Sequence, residues 1–474
     1  MVDVPLPLLT APGRLPQAAG GRVINAYPEK LPAAAGKPHA YWRTPGLRPW
    51  ATTSGDNYRG ALLVGGLLYA VINNTVYSFT SLGGAGTALT GAVLGTEPVT
   101  MARNNKASPD IVIVAPGDAA YWINPAAPTV VAAYPDVDVG VPNAVVFHKG
   151  FFIFTYGDGI TRASDVNSTN INTLNYATAE SKPDTLYRSV PLGNGQLLLC
   201  GSNTMEVWGG LNETGYPFSY VSTIARGIVG IDAIAGHQDG FGKGVFLVGD
   251  DFKVHTLDGY TATPISVPDL DILIEAEPDK SILTVTVYVS QGHGMVVVQG
   301  PDWAWEYDTT LQNWHERQSH LVNYWRGKFP VAAFGTWIAG DKESGNLAEI
   351  DGETRTEFGN PLLIQLETGP MGAFPNKIRI NGIELYLTKG VGSATGADPL
   401  ETDPDISIEI SRDGGQTWSN PRVVKIGRQS LTDERVRAAI WGQAQNQGVR
   451  WRLRESAPLS FAFMGIDMQV DKLI

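Results

Sequence analysis

Three arginines at alternate positions, Arg450, Arg452 and Arg454, share one face of an expected strand, opposite Val449, Trp451 and Leu453, because strand side chains alternate between faces. A planar guanidinium forks onto carboxylates. Such a row suits either a solvated face or a subunit interface that receives acidic groups from a neighbour, and both readings stand. Upstream, Ser411-Arg412-Asp413-Gly414-Gly415-Gln416-Thr417-Trp418 has the form S-x-D-x-G-x-T-W. Asp413 can accept backbone N–H bonds across the turn while Trp418 packs beneath the hairpin, which makes the segment a turn staple. The other chemistry-bearing residues assemble no site. His39, His148, His237, His255, His293, His315 and His320 include no metal-type pair on a helix, and the single Cys200 provides neither a zinc set nor an intrachain disulfide. The stretch from Gly236 to Lys243 fails as a phosphate loop, with five residues between Gly236 and Gly242 and Gly244 where a hydroxyl would hold Mg²⁺. Asp136 with Asp138, Asp269 with Asp271, and Asp403 with Asp405 are turn carboxylates without a full cation loop. No metal, cofactor or enzymatic activity is expected.

The elements that would position these residues are short strands in a recurring phrase, an apolar run closed by glycine. It reads Ala61-Leu62-Leu63-Val64-Gly65, then Ile111 to Val114 with Gly117, Phe151 to Phe154 with Gly157, Leu197 to Gly201, Val245 to Gly249, Val296 to Gly300 and Trp337 to Gly340. Successive anchor glycines lie 52, 40, 44, 48, 51 and 40 residues apart, the roughly 40–50-residue period of propeller blades. Glycine is expected at equivalent tight turns, where it supplies positive φ. One hairpin cannot bury its own face, whereas six or seven stacked radially can, with few open edges.

The chain is therefore expected to be all-β, with a β-propeller of six or seven blades over residues 55–355. Residues 1–54, rich in proline and aperiodic, read as an extended arm laid over something else. The polar stretch from Asp165 to Asp184 reads as a surface excursion. From residue 356 to 474 the phrase stops and alternating strands, among them Ile406 to Ile410 and Val449 to Arg454, indicate a β-sandwich-like domain. A formal net charge of −12 argues against broad nucleic-acid affinity, which needs basic groups against phosphates. The first residues lack a basic region and are broken by prolines, unlike a secretory signal. No run approaches the roughly 18 apolar residues of a membrane span.

Several short motifs carry a family resemblance. Arg22-Val23-Ile24-Asn25-Ala26-Tyr27-Pro28-Glu29 with Thr44-Pro45-Gly46-Leu47, then Gly201-Ser202-Asn203-Thr204-Met205-Glu206-Val207-Trp208, then Arg435-Val436-Arg437 leading to Trp441-Gly442 and the arginine strand resemble the tail-hub, or packaged-DNA stabilisation, proteins (tail accessory factors) of short-tailed bacteriophages. The likeness covers arm, repeats and C-terminal domain in order. It implies a structural virion component of the phage tail, assembled in the host cytoplasm: a homo-oligomeric ring, a hexamer in that family's typical pattern, below the portal and its adaptor ring. The ring would surround the DNA exit channel, help retain packaged DNA and connect to tailspike, fibre or needle proteins. It implies no catalytic residues, and an acidic surface suits a conduit through which DNA slides without sequence-specific binding. The alternative is a sialidase-like glycan-cleaving or carbohydrate-binding propeller, since S-x-D-x-G-x-T-W is familiar there. Such enzymes usually repeat the box across blades and need converging arginines with a carboxylate pair or activated tyrosine in one pocket.

Overall fold

The computed structural model describes residues 2–33, 36–179, 182, 184–372, 376–444 and 447–473. Seven antiparallel sheets follow one another around a ring, their innermost strands being Tyr58–Val64, Thr100–Arg103, Ala144–His148, Leu186–Pro191, Ile234–Ala235, Thr284–Ser290 and Gly327–Ala333. The last of these packs back against the first, which closes a seven-bladed propeller. Six blades take four consecutive strands each. The seventh has three of its own, and its outer strand is Gly46–Ala51 from the N-terminal region, antiparallel to Leu347–Asp351 with Leu47 opposite Ile350.

Residues 1–54 are thus not an arm laid over the rest but are woven into both domains. Gly21–Ile24 lies between Asn313–Glu316 of the sixth blade and Ile364–Thr368, and joins them into one nine-stranded sheet. Ala26–Lys30 and His39–Arg43 form a hairpin in the facing sheet, beside Phe463–Leu473, Lys377–Leu387 and Arg437–Ala444. The prolines are accommodated where no ladder N–H is required. Pro28 sits in the edge strand of its sheet, and Pro49 sits where the register with Leu347 and Ala348 shifts, the two places a strand tolerates proline. Between the sheets Val23, Leu366, Ile380, Ile408, Trp441 and Trp451 bury a common core. This is the C-terminal β-sandwich.

The anchor glycines need two corrections. Gly117, Gly157, Gly201, Gly249 and Gly300 end or follow the second strand of their blades and Gly340 is the last but one residue of its own, whereas Gly65 follows the first strand of the first blade. Their physical reason also differs from the expected turn. Gly65 and Gly117 do adopt positive φ, at 57° and 73°. A Cβ on Gly201, Gly249, Gly300 or Gly340 would instead approach Asp184 Oδ1 to 2.6 Å, Asp251 Oδ1 to 2.8 Å, Trp303 Nε1 to 2.5 Å and Tyr58 Cδ1 to 2.0 Å, so close packing excludes a side chain. The polar stretch after Asp165 is likewise no excursion throughout, because Ile171–Thr178 is the outermost strand of the third blade; Ser181 and Pro183 lie outside the described residues.

Polar staples hold the domains together at the N-terminal strands. The Asn25 amide, on a backbone with φ 53°, donates to Gln318 O and Leu363 O, both at 2.8 Å, and so ties propeller to sandwich. Arg317, fully buried, donates to Pro45 O at 2.6 Å, to Glu357 Oε1 at 2.9 Å and to the Thr44 hydroxyl. Among the described residues no helix is long and apolar enough to cross a membrane.

Candidate assembly interface

The strand Arg450–Glu455 is an interior strand, between Ile364–Thr368 and Asp405–Ser411. The expected alternation holds, with Val449, Trp451 and Leu453 in the core. The register sets Arg452 directly opposite Glu367 on one side and Glu409 on the other. Arg450 pairs with Glu367 at 2.7 Å, Arg452 with Glu367 and Glu409 at 3.1 Å each, and Arg454 with Glu409 at 3.2 Å. Arg450 also donates to Thr368 O at 2.8 Å and Pro16 O at 2.9 Å. Its burial lowers its pKa, against the pull of Glu367. The guanidinium forks therefore fall on carboxylates of the same chain, and only Arg454, its side chain 37% exposed, keeps a substantial free surface.

The turn staple caps this row. Asp413 Oδ1 accepts the Ser411 hydroxyl at 2.7 Å and the N–H groups of Gln416 and Thr417 at 3.0 Å each, and Oδ2 accepts the Thr417 hydroxyl at 2.6 Å. Burial raises the Asp413 pKa, but bonds from Thr417, Ser411 and Gln416 outweigh it and bring the value down to about 2. Trp418 then lies over Arg452, with Cζ 3.8 Å from the ring centroid, a cation–π contact. One motif thus positions the other.

Elsewhere the titratable groups do structural work. His293 lies 2.7 Å from Asp308, His315 2.7 Å from Glu306 and His255 2.8 Å from Asp251. No group of three or more His, Cys, Asp or Glu able to hold a metal occurs among the described residues. The segment from Gly236 to Gly244 is a hairpin connection between Ile234–Ala235 and Val245–Val248, with no helix after it. At one mouth of the propeller lies a cavity of about 550 Å³ lined by Glu97, Tyr187, Asp232, Thr286, Lys328 and Lys342 among others. Burial lowers the pKa of both lysines and raises that of Asp232, which Arg188 approaches at 3.5 Å. Among the described residues lining it there is no arginine.

Family models match the chain along almost its entire length: one described as bacteriophage P22 Gp10, beta-propeller, over residues 24–355, and one described as bacteriophage P22 Gp10, beta-sandwich, over residues 364–469. The chain belongs to the bacteriophage P22 Gp10 family. It is thereby a member of a phage virion structural protein family. No curated protein sequence matches it. Similar solved structures include PorZ, a surface component of the type-IX secretion system of Porphyromonas gingivalis, at 14% identity and TM-score 0.39, over 73% of this chain and 45% of that one. The WD40 propeller domain of Doa1 matches at 11% identity and TM-score 0.40, over 64% of this chain and 96% of that one. An inactive virginiamycin B lyase from Staphylococcus aureus matches at 13% identity and TM-score 0.45, over 64% and 98%.

In this Gp10-family chain the charge is unevenly shared. Residues 55–355 carry 16 Lys and Arg against 31 Asp and Glu, a net of −15; residues 1–54 carry 6 against 2, and residues 356–474 carry 13 against 14. The acidic excess therefore resides almost wholly in the propeller. Three exposed arginines of the sandwich, Arg412, Arg422 and Arg437, bond carbonyl or amide oxygens. They have no carboxylate within 4.0 Å among the described residues.

Proposed function

We propose that this chain is the subunit of a closed tail-hub ring, hexameric as in the family it belongs to. The ring sits below the portal and its adaptor, surrounds the DNA exit channel, helps retain packaged DNA and carries distal tailspike, fibre or needle proteins, after assembly in the host cytoplasm. The observation that carries this is the family match across both domains. The propeller's net charge of −15 supports it, since a conduit that repels phosphates lets DNA pass without adhering. Closure requires heterologous contacts, one surface of a subunit against a different surface of the next. At the expected contact of Arg450, Arg452 and Arg454, we propose that only the exposed rim of Arg454 faces a neighbour, because all three are paired within the chain and the other two are far less exposed.

Native mass measurement and particle images test this. A ring is expected, alone or seated on the adaptor, and a chain that stays monomeric with portal and adaptor present refutes the hub. The protein is proposed to be no enzyme. Fluorogenic sialosides and other glycosides should give no turnover, and turnover abolished by Asp232→Asn at the propeller mouth would favour a glycan-cleaving propeller instead.

A further inference from the structure

Both layers of the sandwich are open along one border. Arg437–Ala444 ends the six-stranded sheet and Arg422–Lys425 ends the nine-stranded one. Along Arg437–Ala444 simple alternation fails: Ala438, Trp441 and Ala444 are buried and the pairs between them exposed. The register gives the cause. Ala439 stands opposite Gly382 and Gly442 opposite Ile380, so Ile440 and Trp441 together oppose Asn381, a β-bulge. Trp441 turns inward, its ring centroid 5.0 Å from that of Trp451. Ile440 is left 80% exposed with φ 62°.

A β-branched residue with positive φ is a backbone outlier, and glycine or asparagine would occupy the position with less strain. The fold therefore offers no account of an exposed isoleucine there. Strain of this kind concentrates at working surfaces. The bulge is also pinned from the side. Arg422 donates to Ala439 O at 2.6 Å and Ile440 O at 3.0 Å, and Arg412 to Trp441 O at 2.8 Å. With three successive carbonyls satisfied, this border is a poor template for an added strand, and a partner must engage side chains. Val423, beside Arg422, is 60% exposed and enlarges the apolar surface.

We propose that the Ile440 knob, collared by Arg412, Arg422 and Arg437, seats against the acidic propeller of a second copy of this chain and forms the heterologous contact that closes the ring. The inference rests on the ring reading above. Charge complementarity selects the occupant: Arg412, Arg422 and Arg437 are exposed and have no carboxylate within 4.0 Å among the described residues, and residues 55–355 carry a net charge of −15. The cations steer and fix register while the apolar knob supplies burial at the centre.

Ile440→Asn and Ile440→Gly test it, because each relieves the backbone and removes the knob. The free subunit should melt at an equal or higher temperature, while ring association weakens by about ten-fold or more. Arg437→Glu should weaken association in a salt-dependent way. A photocrosslinking benzoylphenylalanine at position 440 in assembled particles should join two copies, with the captured peptide from residues 55–355. If Ile440→Asn assembles like wild type, the contact is wrong though the ring stands. A lowered melting temperature would show that Ile440 serves the fold and overturn the proposal, as would an adduct with a different virion protein. A wild-type chain that is monomeric in particles overturns the ring and this contact with it.

Discussion

Replacing Arg43 by methionine should unlatch the N-terminal hairpin from the sandwich. Arg43 lies in His39–Arg43 and is buried with Glu455, their side chains 3% and 2% exposed. Its guanidinium bonds the Glu455 carboxylate, Ala457 O at 2.9 Å and Arg355 O at 3.4 Å. Once it is gone, Glu455 keeps, among the described residues, the Ala457 N–H at 2.6 Å. Removing one partner of such a buried pair costs about 3–5 kcal/mol, whereas replacing both by apolar residues is often near neutral. Arg43→Met should therefore be strongly destabilising, and Arg43→Met with Glu455→Leu should recover most of the loss in a double-mutant cycle. The effect should depend on pH. Burial pushes Glu455 up to about 7, opposed by Arg43 and the Ala457 N–H. Because the folded value lies above the ordinary 4.5, this carboxyl's contribution is full below about pH 4.5 and lost as pH rises through about 7. Without Arg43 the value climbs further, so the variant's deficit should be larger at about pH 8.5 than at about pH 5.5. Urea unfolding followed by tryptophan fluorescence reads it out, since Trp441 and Trp451 lie in the same core. A loss below about 1 kcal/mol, or negligible coupling in the cycle, would refute the latch.

Three further outcomes are expected. Asp413→Ala should cost about 1 kcal/mol by removing the turn staple, and in the wild type the staple's contribution should be present above pH 3.8 and lost as pH falls through about 2, as melting against pH would show. Gly340→Ala should cost about 3 kcal/mol or leave the chain insoluble, because its Cβ would lie 2.0 Å from Tyr58 Cδ1 in the packed ring; a normal melting temperature would contradict this. Deleting residues 1–51 should abolish soluble propeller by baring the Leu347–Asp351 edge, and limited proteolysis of the intact chain should spare Gly46–Ala51, with rapid cleavage there as the contrary result.

Legibility from sequence followed burial. The second strands of the blades, such as Ile111–Ala115 and Leu197–Gly201, are buried throughout and read as unbroken apolar runs. The outer strand Ile171–Thr178 has only Ile171 buried, leaving no pattern to distinguish it from a loop. Gly46–Ala51 was hidden differently: its partner lies some 300 residues away, and prolines argued locally against a strand. The arginine row was visible as a face, but Glu367 and Glu409 are 85 and 43 positions from Arg452, a pairing that only the register creates. A faint signal existed, since Glu409 occupies the polar face of the alternating Ile406-Ser407-Ile408-Glu409-Ile410. The Ile440 bulge gave none beyond Gly442, whose φ of 81° sits next to the buried Trp441.

The closure of the seventh blade by Gly46–Ala51 also sets a clock on synthesis. At about 5–20 residues per second, the ribosome needs roughly 15–60 s to deliver Leu347–Asp351 after the N-terminal strand has emerged. Throughout that interval the strand lacks its ladder partner and has only the bridge from Ala51 to Gly84 to hold it, while Gly21–Ile24, bridged to Ala11, waits for Asn313–Glu316 and Ile364–Thr368. Six blades can form hairpin by hairpin as they appear, but the seventh is completed only by joining a strand made before the first blade to one made some 300 residues later. A chain released early would present an open sheet edge instead of a rim, so translation errors upstream of residue 351 should yield subunits that chaperones retain and that never reach a particle.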